Sequence, residues 1–137
     1  MNERSTSVLS DPAQLPVLTR FLQEFWSANG LPAAEALKFE LALEEVFMNV
    51  VMHGSRASQP RVEVRLAASD ADITLVVEDE GPAFDPLSVP PPESAASLEQ
   101  RPVGGLGVFL VRQMMDTVEY QRLTCRNQLR MTRRIHP

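Results

Sequence analysis

The sequence predicts an α+β fold: a two-layer sandwich of a mixed, mostly antiparallel sheet with helices packed on one face. Three observations predict it. Apolar residues recur at helical spacing over residues 15–26 and again over Ala33–His53. After Gly54 the pattern changes to short alternating or continuous apolar runs that read as paired strands. The chain has 137 residues, 44% of them hydrophobic and 23% charged, which suits one domain with one real core. Residues 1–137 are therefore expected to form a single domain, with no repeat and no linker.

Each element has its own signal. Residues 5–9 (STSVL) read as a short strand. Ser10 or Asp11 can cap a helix with Pro12 near its first turn. Leu15, Leu18, Phe21, Leu22, Phe25 and Trp26 form the apolar stripe of that helix, and Asn29-Gly30 ends it. Pro32 stands before a second helix over Ala33–His53, with Gly54 as its stop. Residues 61–67 and 73–78 read as strands joined by the turn Ser69-Asp70-Ala71-Asp72. Residues 82–103 hold six prolines and form a loop long enough to act as a lid. Residues 107–116 read as a helix. Residues 117–123 and 128–134 form a second hairpin around Cys125-Arg126-Asn127. The order is β-α-α-β-β-loop-α-β-β.

Bulk chemistry excludes several classes. The formal net charge is -5, so nothing in it argues for a nucleic-acid or membrane partner. Cys125 is the only cysteine, which rules out an internal disulfide and fits a reducing cytoplasm. No apolar run approaches the ~18 residues of a membrane span. The stretch MNERSTSVLSDP lacks the apolar core of a signal peptide. Lys38 is the only lysine, and it sits in EALKFE. A Walker loop and a eukaryotic-type kinase both need a lysine in another context. A nucleotide site here would need a different architecture.

Three motifs can supply one. In ELALEEVFMNVVMH, Leu37, Leu41, Glu45, Asn49 and His53 are spaced by four, so they share a helix flank. The two leucines suggest that this flank faces the interior. A buried carboxylate and amide then need partners or a ligand: Asn49 can reach a magnesium ion, and Glu45 can accept a proton. Alternatively Glu45 pairs with an arginine and Asn49 with backbone. In VVEDEGPAFDP, Asp79 ends an apolar strand and can accept a hydrogen bond from the amine of adenine, while Gly81 lets the chain turn. The alternative is a plain turn. In RPVGGLGVFLVRQMMD, Gly104, Gly105, Leu106 and Gly107 lead into a helix whose N-terminal amides favour phosphate. The alternative is a hinge. His53, Phe25, Trp26, Phe109-Leu110 and Met114-Met115 read as structural or core, and Arg130, Arg133 and Arg134 as a solvated strand face.

Together, in this order, EEVFMNVVMH, DEGPAFD and GGLGVFLVRQMMD resemble the N, first-glycine and second-glycine boxes of the GHKL superfamily. That superfamily joins gyrase, a heat-shock chaperone, sensor histidine kinases and a mismatch-repair protein. The chain is most similar to the bacterial anti-sigma-factor serine/threonine kinases. The resemblance implies a Bergerat-type, histidine-kinase-like ATP-binding fold, with ATP and magnesium as cofactors. It implies Glu45 as general base, Asn49 as the magnesium-binding asparagine and Asp79 with Gly81 as the adenine contact. Gly104, Gly105, Leu106 and Gly107 match the lid and phosphate loop, and Arg101 lies where a lid arginine reaches the terminal phosphate. Ala83 replaces the last glycine of the first-glycine box, a departure that bears on lid flexibility. The sensor kinases' helical domain with its phosphoacceptor histidine has no counterpart here. The implied function is phosphorylation of a STAS-type anti-sigma antagonist and sequestration of a sigma factor in a cytoplasmic partner switch. A homodimer is the family's frequent assembly. The alternative is an ATP-gated binding module without significant phosphotransfer.

Overall fold

Strand pairing fixes the architecture. The computed structural model describes residues 2–54, 60–88 and 105–135. Within them, β1 (Asn2–Leu9), β2 (Arg61–Ala68), β3 (Asp72–Asp79), β4 (Thr117–Leu123) and β5 (Arg126–Arg134) form one sheet in the order β1-β2-β3-β5-β4. Every neighbouring pair is antiparallel. The mixed sheet expected from the sequence is thus antiparallel throughout the described strands. β3 and β4 do run the same way, but the short β4–β5 hairpin folds β5 into the gap between them.

Three helices are described: α1 (Leu15–Ala28), α2 (Ala33–His53) and α3 (Gly105–Met114). Sheet residues Val64, Leu66, Leu75 and Met131 share one core with Leu22, Phe25, Phe39, Phe47 and Val111 from the helices. The opposite sheet face is closed by charge. Glu78 is buried there, bonded by Gln128 at 2.7 Å and Arg126 at 3.1 Å, with Arg65 at 3.8 Å. Each oxygen of this buried carboxylate therefore has a cationic or amide donor, as burial of a charged group requires.

Local chemistry sets the boundaries. Asp11 accepts the Ala13 amide at 2.9 Å, but it caps a single 3₁₀ turn at Pro12–Gln14, and α1 proper starts at Leu15. Gly30 takes φ +58°, a conformation that favours glycine, and turns the chain toward α2. The Trp26 indole N–H donates to the Pro32 carbonyl at 2.9 Å and locks that turn. α2 keeps its expected bounds. The second hairpin is tighter than expected: only Thr124 and Cys125 form its turn, so Arg126 and Asn127 belong to β5.

Three side-chain expectations are overturned. Leu37 and Leu41 are 60% and 42% exposed, so the interior flank of α2 does not include them. Leu110, expected in the core, is 47% exposed. Arg133 is not a solvated residue of the strand face. It is half-buried on the helix side, paired with Glu35 and donating to the Met114 carbonyl at 2.8 Å. One guanidinium thereby ties β5, the start of α2 and the end of α3 together.

Candidate functional site

α2 crosses the sheet with its C-terminal half over the ends of β3 and β5, and a cleft of about 420 Å³ opens between them. Val46, Val50 and Leu129 supply apolar wall; Asn49, Asp79 and Asn127 supply the buried polar groups. The pairing of β3 with β5 puts Asp79 directly opposite Asn127.

The Asp79 carboxylate is half committed. Its Oδ2 accepts the Gly81 amide at 2.9 Å and the Asn127 side-chain N–H at 3.3 Å. Among the described residues nothing donates to Oδ1. The turn at Gly81 therefore orients the carboxylate as well as letting a ligand approach. Asn127, which the sequence reading placed in a turn, is the hub. Its amide N–H₂ also donates to the Pro82 carbonyl at 2.9 Å, and its Oδ1 accepts from the Phe84 amide at 3.1 Å and the Tyr120 hydroxyl at 2.5 Å. Arg122 donates to the Gly81 carbonyl at 2.8 Å. Apart from Tyr120, seven residues away, the partners of Asn127 lie more than 40 residues away in sequence, so no local signal marked it.

Asn49 is 7% exposed and lines the same cleft. Among the described residues no side-chain hydrogen bond holds its amide. Neither alternative reading of the α2 motif finds support among the described residues: Asn49 has no backbone partner and Glu45 no arginine. Glu45 lies one turn earlier, a rise of about 6 Å. Burial pushes its carboxyl above the usual range, and the neighbouring charge of Glu44 adds to the rise. Gly107 explains how close α3 comes. A Cβ on Gly107 would stand 2.6 Å from Glu45 Cδ and 3.1 Å from Cγ. The glycine makes room for the Glu45 side chain, a packing reason that the phosphate-loop reading of Gly107 did not contain.

His53 was expected to be structural. It lines the cleft and stacks on Phe84, with ring centroids 4.2 Å apart and planes 18° apart. Gly105 and Leu106 begin α3. Arg101 and Gly104, both expected at the phosphates, lie outside the described residues, as does most of the proposed lid. Among the described residues no group of three or more His, Cys, Asp or Glu side chains could hold a metal. A magnesium ion, which retains water and leans on phosphate oxygens, needs only one or two protein ligands. Asn49 fits that role.

Comparison with known proteins gives the family and the fold. The profile of the histidine kinase-like ATPase domain matches residues 8–133. The serine/threonine-protein kinase BtrW of Bordetella bronchiseptica is 32% identical over 114 residues, covering 81% of this chain and 75% of that protein. The serine-protein kinase RsbW of Bacillus subtilis is 25% identical over 119 residues, covering 83% of this chain and 74% of that protein. The crystal structure of the RsbU and RsbW domains of a Mycobacterium tuberculosis protein aligns over 100% of this chain with a TM-score of 0.68 at 14% identity. This chain spans 34% of that structure. The histidine kinase domain of a blue-light activated histidine kinase from Erythrobacter litoralis aligns over 88% of this chain with a TM-score of 0.54 at 18% identity, and the chain spans 59% of it. At these identities the two structures speak for the fold alone.

Proposed function

The chain belongs to the histidine kinase-like ATPase domain family, and on that premise we propose that it is an ATP-dependent protein serine/threonine kinase of the anti-sigma-factor type. The observation that carries this reading is the convergence of Asn49 and Asp79 on one cleft, with Glu45 a helical turn away at the approach of α3.

Asp79 Oδ1 accepts the exocyclic amine of adenine, while Oδ2 stays held by Gly81 and Asn127. Guanine presents an oxygen at that position and is disfavoured, because two acceptors would face each other. Asn49 would hold magnesium, which when bound would supply positive charge to neutralise the transferring group. The N-terminal end of α3 offers its amides to the phosphates, with Gly104, Gly105, Leu106 and Gly107 forming the turn and Arg101 reaching the terminal phosphate. The partner's hydroxyl oxygen attacks the terminal phosphorus, the bond to the bridging oxygen breaks, and ADP leaves. The hydroxyl proton passes to the Glu45 carboxylate. Its raised pKa brings Glu45 nearer to the operating pH, which makes it a better base than an ordinary glutamate.

The regulatory reading rests on the resemblance to the anti-sigma-factor kinases. We propose a STAS-type antagonist as the phosphate acceptor and a sigma factor as the protein sequestered when that antagonist is phosphorylated. A homodimer is the proposed assembly. The names of the BtrW and RsbW relatives support the kinase step.

The test is transfer of labelled phosphate from ATP to a purified STAS-type antagonist, by wild type and by Glu45→Gln. The expected outcome is transfer by wild type and a drop of about 10² to 10⁴ in the variant, with ATP binding intact. Equal transfer by both would remove Glu45 from the mechanism. ATP binding without transfer by wild type would leave an ATP-gated binding module.

A further inference from the structure

We infer that the exposed leucine- and methionine-bearing flank of α2, together with the facing edge of α3, is the surface on which the protein substrate docks, an inference that rests on the kinase reading above. Five large apolar residues are well exposed among the described residues: Val17, Leu37, Leu41, Met52 and Leu110. Four of the five surround Glu45. Leu41 stands one turn before it on α2 and Met52 two turns after, with Leu37 one turn beyond Leu41. Scattered apolar side chains need no explanation, but four gathered about one reactive carboxylate do.

Leu110 joins them across the helix pair. Gly107, near the start of α3, lies against Glu45. Near its other end, the Met114 carbonyl shares Arg133 with Glu35, at the start of α2. The two helices are therefore antiparallel. Counting three residues along each from the Gly107–Glu45 contact brings Leu110 level with Ala42, beside Leu41. The rim is continuous from Leu37 to the point where the hydroxyl must arrive.

Charge selects the occupant. Glu44 is exposed on the α2 flank that carries the leucines, whereas Glu40 lies on the α1 side, accepting from Gln23 at 3.1 Å, and Lys38 is tied to Glu35 at 3.5 Å. The rim is therefore apolar and acidic. A second copy of this chain docked through this face by a two-fold axis would bring the same acids against themselves. The fitting partner is a different protein. It presents its serine or threonine beside an apolar edge, with lysine or arginine flanking it.

The experiment uses Leu41→Asp and Leu110→Asp in the full chain, with a purified STAS-type antagonist as substrate and Leu41→Met as the conservative control. Both positions are exposed, so folding and the thermal shift with magnesium-ATP stay at wild-type values. KM for the antagonist rises at least about 10-fold in each aspartate variant and stays near wild type in Leu41→Met. Wild-type transfer with an unchanged KM in both aspartate variants overturns the docking surface and leaves the kinase reading standing. So does an unchanged KM accompanied by a shift from dimer to monomer in light scattering, which would give the face to a second copy. Absence of transfer by wild type overturns the kinase reading and this surface with it.

Discussion

The cleft around Asp79 and the surroundings of Glu45 are built on opposite plans. Around Asp79 the chain supplies its own partners: Gly81, Asn127, Tyr120 and Phe84 cross-bond one another and leave a single carboxylate oxygen outward. Around Glu45 the described residues supply close packing by Gly107 and an exposed apolar rim. A group that must read one fixed small molecule gains from being held rigid before the ligand arrives. A group that must meet a hydroxyl on another protein has to stay reachable, and the rest of its surroundings comes with the partner. The two regions should therefore respond differently to substitution, one through nucleotide binding and the other through turnover.

The largest effect is expected at Asp79. Asp79→Asn keeps an oxygen for Gly81 and Asn127 and turns an N–H₂ toward the adenine amine, donor against donor. An unmatched buried polar group costs about 1–3 kcal/mol, so ATP affinity falls about 10²-fold. ATP at 100 times the wild-type dissociation constant stabilises wild type by about 2.7 kcal/mol, and the variant by about 0.4 kcal/mol. Thermal unfolding with and without ATP reads this directly. A full shift in the variant would remove Asp79 from base recognition.

Gly107→Ala acts in the other region. The added methyl displaces the Glu45 side chain, and misplacement by about 1 Å costs on the order of 10² in turnover. Alanine favours a helix by about 1 kcal/mol over glycine, so the fold survives. Single-turnover transfer should fall while the ATP shift remains. Loss of the ATP shift instead would give Gly107 to the phosphates alone. Asn127→Ala breaks the comparison from inside the rigid region. It strips partners from the Tyr120 hydroxyl, the Phe84 amide and Asp79, and should cost about 2 kcal/mol of folding stability in urea.

Much of this was legible because it is local. The ends of α2, the turn at Ser69 and the strands around Asp79 carry their signals within a few residues. The positions of Asn49 and Asp79 followed from them. The errors on α2 have a geometric cause. A step of four residues turns the helix about 40° past a full circle, so Leu37 lies about 80° from Glu45 and about 120° from Asn49. A flank read as one stripe is really a slow spiral that leaves the interior before it reaches Leu37. Asn127 was invisible for another reason. Its role depends on the pairing of β3 with β5, and a one-residue change of register would turn it to the other sheet face. Arg133 escaped likewise, because its partners belong to two helices distant in sequence.

The smallest expected effect compares two carboxylates on α2 itself. Glu35 bonds to Arg133, and that guanidinium, more than Lys38, holds its carboxyl below the usual range despite some burial. Glu45 is shifted the other way by burial and by Glu44. The signs are opposite for stability. The lowered group stabilises the fold above the ordinary carboxylate pKa, and that contribution is lost as pH falls through its folded value. The raised group binds its proton more tightly when folded, so its contribution is present at low pH and lost as pH rises through its folded value. Glu35→Gln should therefore cost about 1.5 kcal/mol at neutral pH and progressively less in acid. Glu45→Gln should be neutral in acid and slightly stabilising at neutral pH, where wild type must keep a charge partly buried. Urea titrations of both variants between neutral pH and the acid limb measure the two slopes. A difference between wild type and Glu45→Gln that does not change with pH would mean that Glu45 is an ordinary solvated carboxylate, and its fitness as a base would then rest on position alone.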